Sequence, residues 1–329
     1  MSDVLSGLLE DLPGPDTASS VAVGIRASHV LRPQGAFMHL DRIAAWLAGW
    51  QATDRPAVER PHAVVFAADH GVAADGVSAY PAEVTAAMVD AVERGGATAS
   101  VLAAHAGASI EVVDVGVGRP TGNLRTEPAM SPERLRSAVQ AGVAAVEEVD
   151  ADLLVFGEMG IGNTTAAAAV SAAVLGGTAD DWVGPGTGVT DEALANKRAV
   201  VDEALARVGT VEPLEALRQL GGLEMAAIAG GVLGARRRRI PVLLDGFIMT
   251  ASVLPLHAVA SGAMDHCRAG HCSAEPGHRR QLDHLGMEPL LDLDLRLGEG
   301  SGALAAIPLV RMAAAAVVEV ATFEEWGLA

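Results

Sequence analysis

The sequence predicts an α/β fold with a mostly parallel sheet and a small helical domain formed by the two ends of the chain. Short apolar runs of strand length alternate with alanine-rich segments of helical length, which is typical of parallel βαβ units. The apolar runs end in small or acidic residues, and ligands of open parallel sheets bind at those strand ends. The first 60 residues lack this alternation.

Four apolar runs are predicted strands, and four of the segments around them are predicted helices. The predicted strands are residues 63–68, 110–115, 153–156 and 240–244, and the predicted helices are residues 82–94, 132–148, 191–208 and 223–235. Ser131 before Pro132 and Thr190 before Asp191 are typical N-cap positions. Because the carboxyl ends of parallel strands share one edge of the sheet, the polar residues that follow these runs are expected to meet there.

The two ends of the chain are predicted to be helical. Apolar residues recur at helical spacing between Leu40 and Leu47, and an alanine-rich apolar stretch lies near the C-terminus. We expect residues 1–60 and 303–329 to pack together as a small helical domain. Residues 61–302 are then the large α/β domain that carries the active site.

Composition excludes several classes of protein. The chain has 329 residues, half of them hydrophobic, and its net charge of −18 argues against nucleic acid or an anionic membrane as a partner. Its two cysteines are too few for a disulfide scaffold and indicate a reducing compartment, so we expect a cytoplasmic protein. Residues 1–12 lack the features of a signal peptide. The apolar stretch 302–321 contains a proline and two charged residues, which favours a buried helix over a membrane span.

Three glycine-rich segments are candidate ligand loops. Residues 157–165 follow a strand and open a helix, so they either bind a phosphate through backbone N–H groups or form a tight turn that needs glycine for its geometry. Residues 184–188 precede a helix with Lys197, which is either a ligand-binding or a solvated lysine. Residues 298–302 hold Glu299 between glycines, after a strand-like run. Glu299 is either a general base or a first-turn acid stabilised by the helix dipole.

Two His-Cys pairs, His266-Cys267 and His271-Cys272, raise the question of zinc. Their spacing matches no common zinc finger, and no second Cys/His pair elsewhere completes four ligands. We therefore expect no metal site. The four arginines of residues 236–239 are interpreted as a solvated helix end.

Together these segments resemble the nicotinate-nucleotide–dimethylbenzimidazole phosphoribosyltransferase family, whose product supplies the lower ligand of cobalamin. The matching stretches are ADHGV (68–72), GVSAYP (76–81), GEMGIGNTT (157–165), GPGTG (184–188) with Lys197, GGLE (221–224), LDGF (244–247), SAEPGH (273–278) and LRLGEGSG (295–302). No single stretch is decisive, whereas their common order is specific. The resemblance covers about residues 32–315.

The resemblance implies a doubly wound, Rossmann-like sheet, a homodimer and a pentosyltransferase without cofactor. The substrates it implies are nicotinate mononucleotide and 5,6-dimethylbenzimidazole or a related base. It implies that Glu299 is the catalytic base, with Glu158 and Lys197 beside the reacting ribose. Phosphate and ribose binding falls to Gly160, Ile161, Gly162, Asn163, Thr164, Gly186, Ser273 and Gly300. Base binding falls to Ser78, Tyr80, Ala87, Met88 and Leu297.

The chain departs from the family pattern in two places. Family members commonly have KPPGSLGRLE where residues 32–41 read RPQGAFMHLD, and glutamine is often found where this chain has Ala87. Both departures bear on base preference, because Glu299 and the glycine loops are intact. One alternative is a catalytically silent base-binding relative. Another is a dinucleotide-dependent oxidoreductase, which needs a G-x-G-x-x-G turn that residues 68–74 do not supply.

Overall fold

A computed structural model describes residues 3–186, 188 and 190–328 of the chain, and its centre is a five-stranded parallel sheet. The strands are β1 Pro61–Ala68, β2 Ser109–Gly116, β3 Leu153–Met159, β4 Val242–Leu244 and β5 Cys267–Ala269, in the order β2-β1-β3-β4-β5. Strands β6 His271–Cys272 and β7 Leu291–Asp292 form a second, two-stranded parallel sheet. The winding direction reverses between β1 and β3, where such sheets bind their ligands.

Helices surround the sheet. They are α1 Asp3–Leu9, α2 Thr17–Ala27, α3 Met38–Gln51, α4 Val84–Glu93, α5 Thr98–Ala106, α6 Pro132–Glu147, α7 Asn163–Leu175, α8 Ala179–Trp182, α9 Asp191–Val208, α10 Pro213–Leu220, α11 Leu223–Arg237, α12 Phe247–Val259, α13 Pro276–Leu285 and α14 Ser301–Val318. Both predicted N-caps are confirmed, because Ser131 and Thr190 each accept a hydrogen bond of 3.3 Å from the backbone N–H three residues on. Two short 3-10 helices lie at Gly71–Asp75 and Ser261–Met264.

Strands β1, β3 and β4 are apolar at nearly every position because helices cover both faces of the sheet there, whereas the edge strand β2 carries Glu111 and Asp114 and is only partly buried. In β3, Leu154 and Phe156 belong to a large hydrophobic cluster shared with α6, α7, α11 and α12. Leu153 and Val155 point to the opposite face and belong to a cluster shared with α3, α5 and α14. The expected α/β class with a doubly wound parallel sheet is confirmed.

The ends of the described chain meet, but not as one unit. Helices α2, α3 and α14 pack together around a small apolar cluster, and an antiparallel bridge pairs Val30 with Thr322. Helices α3 and α14 also close one face of the sheet. Helix α1 lies elsewhere, with Leu5 buried in the large cluster and contacts to α6 and α11. The proposed boundaries of 1–60 plus 303–329 therefore stay a prediction.

Helix α14 is apolar because it is a core helix. Its 18 residues have a mean hydropathy of 1.8 and are 56% buried, and by length and composition alone they could cross a membrane. Leu304, Ile307 and Val310 are fully buried in the cluster with α3 and α5. This packing accounts for the composition that the sequence shows at residues 302–321.

The closest helix pair, α6 and α11, depends on glycine. A Cβ atom added to Gly142 would lie 1.8 Å from the carbonyl oxygen of Ala227, and one added to Gly230 would lie 2.1 Å from that of Val139. Both distances are far shorter than any real contact. The two helices therefore touch backbone to backbone, and α11 in turn packs on β1, β2 and β3.

We expect Gly142→Ala to destabilise the fold by about 1–3 kcal/mol, because the new methyl group overpacks the contact between α6 and α11. The measurement is the urea midpoint of unfolding. The matched control is Gly24→Ala in α2, where a Cβ has open space. That change should be neutral or stabilising by about 0.5–1 kcal/mol, since glycine is a poor helix former. Equal midpoints for Gly142→Ala and the wild type would contradict the packing described.

Candidate active site

A cleft of about 670 Å³ opens at the carboxyl ends of the parallel strands. Most of the residues predicted for the site line it: Ser78, Tyr80, Met88, Glu158, Gly160, Ile161, Gly162, Asn163, Thr164, Gly186, Ser273, Leu297 and Glu299. They come from β3, α4, the first turn of α7 and five loops. Segments far apart in the chain thus converge on one cavity, as the order of the strands requires.

Three predicted residues do not line the cleft. Lys197 lies one layer behind it, Gly300 is the N-cap of α14, and Ala87 is on the exposed side of α4 next to Met88. Lys197 and Gly300 support residues that do line the cleft. The structure gives Ala87 no contact with it, so its role in base choice stays a prediction.

Lys197 is the only lysine of the chain, and it is buried. Its Nζ donates hydrogen bonds to Thr164 Oγ1 at 2.8 Å and to the carbonyl oxygen of Gly184 at 3.1 Å. Burial lowers the pKa of Lys197 to about 8, and the Glu275 carboxylate counteracts this. The alternative of a solvated lysine is wrong. The side chain instead joins α9 to the two glycine loops of the cleft.

Glu299 is held on an unusual backbone. It is 1% exposed and has a φ of 61°, a left-handed conformation that costs a residue other than glycine about 1–3 kcal/mol. Its N–H donates to the carbonyl oxygen of Glu158 at 3.2 Å, and the N–H of Ala99 donates to its carboxylate at 3.5 Å. Burial raises its pKa, the Ala99 N–H opposes the rise, and Asp245 adds to it. Glu299 precedes the N-cap of α14, so the first-turn alternative is wrong.

The residues before Glu299 do not form the expected strand. Only Leu291 and Asp292 of that run are in a strand, β7. Asp294 has a φ of 55° and Gly298 a φ of 92°, so the chain turns twice along the cleft before it reaches Glu299. The alternation of leucine with charged residues resembles a strand pattern, but backbone turns, which that pattern does not register, decide the structure here.

Glu158 lies near the end of β3 and is 5% exposed. The side-chain amide of Asn163, the first residue of α7, donates a hydrogen bond to its carboxylate. Burial, together with the carboxylates of Asp245, Glu224 and Glu299, raises the pKa of Glu158 to about 8, and the Asn163 hydrogen bond opposes the rise. Glu158 is therefore mostly protonated at neutral pH in the free protein.

The loop between β3 and α7 is a tight turn that needs glycine, and it lies at the cleft, so phosphate binding there stays a prediction. A Cβ on Gly160 would lie 2.6 Å from the carbonyl oxygen of Ala68, so the turn needs glycine for its geometry. Gly162, with a φ of 96°, is the N-cap of α7, and the cleft lies at that N-terminus. A helix N-terminus provides N–H groups and a positive dipole end for an anion.

Of the wall opposite this loop, sequence reasoning predicted Ser273 but missed its neighbours His271 and Glu275. His271, Ser273 and Glu275 alternate along an extended segment, all three are buried, and all three line the cleft. His271 Nδ1, Ser273 Oγ and Glu275 Oε2 have no hydrogen-bond partner within the described ranges. Asp245, 1% exposed, accepts a hydrogen bond of 2.9 Å from Ala303 in α14 and lies 3.3 Å from His271 Nε2. The two-residue spacing at 271–275 was the available signal.

The two His-Cys pairs point to different places. His266 Nε2 contacts the carbonyl oxygen of Val232 at 2.9 Å in the core, whereas His271 faces Asp245. In the part of the chain that the structure describes, no three His, Cys, Asp or Glu side chains are placed to hold a metal ion.

Comparison with known proteins identifies the family. A phosphoribosyltransferase family model matches residues 12–328. A nicotinate-nucleotide–dimethylbenzimidazole phosphoribosyltransferase of Cereibacter sphaeroides is 49% identical over 324 residues, which are 98% of this chain and 96% of the relative. The chain belongs to this phosphoribosyltransferase family. A member from Ruegeria pomeroyi is 50% identical over 98% of this chain and 95% of its own length.

The fold of a solved family member agrees with the architecture described above. The crystal structure of CobT from Thermus thermophilus matches with a TM-score of 0.90 at 45% identity, over 95% of this chain and 99% of that chain. The family resemblance drawn from the sequence motifs is therefore confirmed.

Replacing Glu158 should make the fold less sensitive to alkaline pH. Its folded pKa of about 8 lies above the value near 4.5 expected in the unfolded chain, so the folded protein holds the extra proton between those values. Stability contributed by this group falls as pH rises through that window. We expect Glu158→Gln to gain melting temperature relative to the wild type from pH 5 to 8, and the gain to level off above.

The matched control is Glu147→Gln, an exposed glutamate at the end of α6. Its difference from the wild type should not change with pH. Melting curves of the three proteins at pH 5, 6, 7, 8 and 9 provide the measurement. A constant offset between Glu158→Gln and the wild type across this range would show that Glu158 titrates normally.

Proposed function

We propose that this protein transfers the 5-phosphoribosyl group from nicotinate mononucleotide to 5,6-dimethylbenzimidazole or a related base. The products are α-ribazole 5′-phosphate and nicotinate, for assembly of the nucleotide loop of cobalamin. The observation that supports it most is Glu299, a buried carboxylate held on a left-handed backbone in the same cleft as the N-terminus of α7. Family membership supplies the substrates.

The donor phosphate needs local capture, because a protein with a net charge of −18 repels it overall. The N–H groups at the start of α7 and the hydroxyl of Thr164, which Lys197 Nζ contacts at 2.8 Å, supply that capture. Gly186 lies beside the same ammonium group, since a Cβ on it would be 3.6 Å from Lys197 Nζ. Ser273 Oγ, buried and unpartnered within the described ranges, is a further hydrogen-bonding group for phosphate or ribose.

Leaving-group departure needs no general acid. The pyridinium ring of the donor carries a positive charge and leaves as a neutral ring nitrogen, and the bonding electrons of the N–C1′ bond go with it. Positive charge then develops on the ribose. The carboxylates of Glu299 and Glu158 are placed to stabilise it electrostatically, and this effect is strong in a site that excludes water.

The acceptor attacks C1′ through one ring nitrogen and loses the proton of the other. A carboxylate within hydrogen-bond reach of that N–H both orients the base and takes the proton. Glu299 suits this role because burial raises its pKa and makes it a stronger base than an exposed glutamate. Attack on the face opposite the leaving group converts the β donor into an α product.

The acceptor slot is formed by less buried side chains. Ser78, Tyr80, Met88 and Leu297 line the cleft near Val84, and Tyr80 and Leu297 are 50% and 45% exposed. These side chains offer an apolar surface with two hydroxyl groups, those of Ser78 and Tyr80. Such a surface suits a flat bicyclic base. We further propose a cytoplasmic homodimer that works without metal or cofactor, and light scattering on the purified protein measures its mass.

Glu299→Gln should reduce turnover by about 10²–10⁴-fold, the usual cost of losing a general base. Gln keeps the shape of the side chain but cannot accept the proton. Nicotinate release from nicotinate mononucleotide and dimethylbenzimidazole is the assay, and Glu147→Gln is the control. Affinity for the donor should persist, and an N-alkylated benzimidazole should lose less rate than the natural acceptor. Near-normal turnover in Glu299→Gln would remove the base assignment, and no turnover in the wild type would favour a silent relative.

Lys197→Met should lower kcat/KM for nicotinate mononucleotide by about 10- to 100-fold, because hydrogen bonds to charged groups contribute about 1.5–3 kcal/mol. Methionine keeps the apolar stem and removes the charge. The neighbouring Arg198→Ala, whose side chain is 41% exposed, is the control and should keep its kinetics. Unchanged kinetics in Lys197→Met would confine this residue to a structural role.

A further inference from the structure

Three buried carboxylates share the cleft without a lysine or arginine side chain against them. Glu158, Asp245 and Glu299, called the carboxylate cluster below, line the cavity and are at most 5% exposed. Their hydrogen-bond donors are the Asn163 amide and backbone N–H groups, and His271 Nε2 lies 3.3 Å from Asp245. Within residues 3–186, 188 and 190–328, none of the three forms an ion pair with lysine or arginine.

Other charged groups around the cluster do not supply the missing charge. Facing it are Glu224 paired with His70 at 2.7 Å, His271 at 3.3 Å from Asp245, and the further cleft residues Glu275, Asp294 and Arg296, with Lys197 behind Glu275. Arg296 is exposed, and Lys197 contacts Thr164 and Gly184 instead. The net charge of the groups around the cluster is thus negative.

A second observation points to a ligand in the same cavity. His271 Nδ1, Ser273 Oγ and Glu275 Oε2 are buried in residues that are at least nine-tenths covered, and they have no partner within the described ranges. Buried polar groups are normally hydrogen-bonded. This wall is therefore built to receive polar groups of a bound molecule, next to carboxylates that have no lysine or arginine partner within the described ranges.

Neighbouring carboxylates in a dry site cannot all stay ionised, so at least one retains a proton. Burial and the surrounding acids raise the pKa of Glu158 to about 8, which makes it the member that holds this proton at pH 7. A ligand that places a positive charge at the cluster lowers the pKa of Glu158, because the positive charge favours the ionised carboxylate. A neutral ligand has no such effect.

We propose that the carboxylate cluster selects a positively charged N-glycoside as donor, that Asp245 is a specificity-determining member, and that donor binding displaces a proton from Glu158. The proton leaves from the carboxyl group of Glu158 to solvent, and no bond of the donor breaks at this stage. This inference rests on the proposed function, since the cation is the pyridinium ring of nicotinate mononucleotide. It adds the requirement that the donor carries a positive charge, which the glycine loop and the acceptor slot do not impose.

Isothermal titration of the intact protein with nicotinate mononucleotide tests the proton release. Titrations at pH 7 in three buffers of different ionisation enthalpy give the number of protons exchanged. Ribose 5-phosphate, which has the same phosphate but no cationic ring, is the reference ligand. We expect about one more proton released with nicotinate mononucleotide than with ribose 5-phosphate, since Glu158 is mostly protonated in the free protein.

The pH dependence of affinity in the wild type provides a second, independent measurement. Release of a proton on binding means that affinity rises with pH, by up to about tenfold per unit for one proton, until Glu158 is ionised in the free protein near pH 8. Relative to ribose 5-phosphate, affinity for nicotinate mononucleotide should therefore rise from pH 6 to 8 and stay level above. Parallel pH profiles for the two ligands would overturn the proposal.

Variants separate the members of the cluster. Glu158→Gln should bind nicotinate mononucleotide with the proton release of ribose 5-phosphate. Asp245→Asn can still accept the Ala303 hydrogen bond, and it should lose at least about fivefold in affinity for nicotinate mononucleotide while ribose 5-phosphate binds as before. The control is Asp294→Asn, an exposed carboxylate at the same cleft, which should change neither. Unaltered proton release in Glu158→Gln would overturn the proposal.

Failure of this inference is distinguishable from failure of the proposed function. Normal nicotinate release in the transfer assay, together with equal proton release for both ligands, would reject the charge-selecting cluster alone. Absence of nicotinate release from the wild type would reject the transferase activity itself. Should Glu158→Gln fail to fold, the two measurements on the wild type decide the question.

Discussion

The close approach of the turn before α14 to strand β3 is the constraint on which the site depends. Gly157 lies so near to Glu299 that a Cβ on it would be 2.5 Å from the Glu299 carbonyl carbon. This contact places the Glu299 N–H on the Glu158 carbonyl and brings the first turn of α14 to Asp245, where Ala303 donates a hydrogen bond. One backbone contact thus positions all three buried carboxylates. A side chain at position 157 would push the base away from the cavity and loosen the end of β4.

Helix N-termini allow an acidic protein to bury acids and to bind a phosphate in one cavity. Asn163 at the start of α7 donates to Glu158, and Ala303 in the first turn of α14 donates to Asp245. Buried charges need such donors because the transfer of a carboxylate from water is costly. The remaining N–H groups of α7, with the single lysine behind Thr164, provide positive potential for an anion. Local dipoles therefore outweigh the net charge of −18 where the ligand binds.

Most strands of the central sheet could be predicted from the sequence, but the edge strand β5 could not. Strands β1 and β3 are nearly continuous apolar runs because both of their faces are covered, and such runs are visible without a structure. Strand β5 has only three residues around Arg268, whose polarity hides it. The motifs pointed to Glu299, Glu158 and Lys197 as candidate site residues, whereas the position of Asp245 depends on α14 folding back onto the end of β4, a contact between residues 58 apart. Side-chain partners at such separation leave no local pattern.

The departures from the family pattern fall outside the rigid part of the site. Arg32 pairs with Asp41 and lies 5.0 Å from the Phe37 ring, so that segment makes its own contacts at the start of α3. Ala87 is exposed on α4. By contrast, Glu299 is fixed by backbone contacts to β3 that these substitutions do not reach. Under the proposed function, the buried carboxylates keep the geometry of transfer, while half-exposed side chains such as Tyr80 and Leu297 let the accepted base change through surface residues.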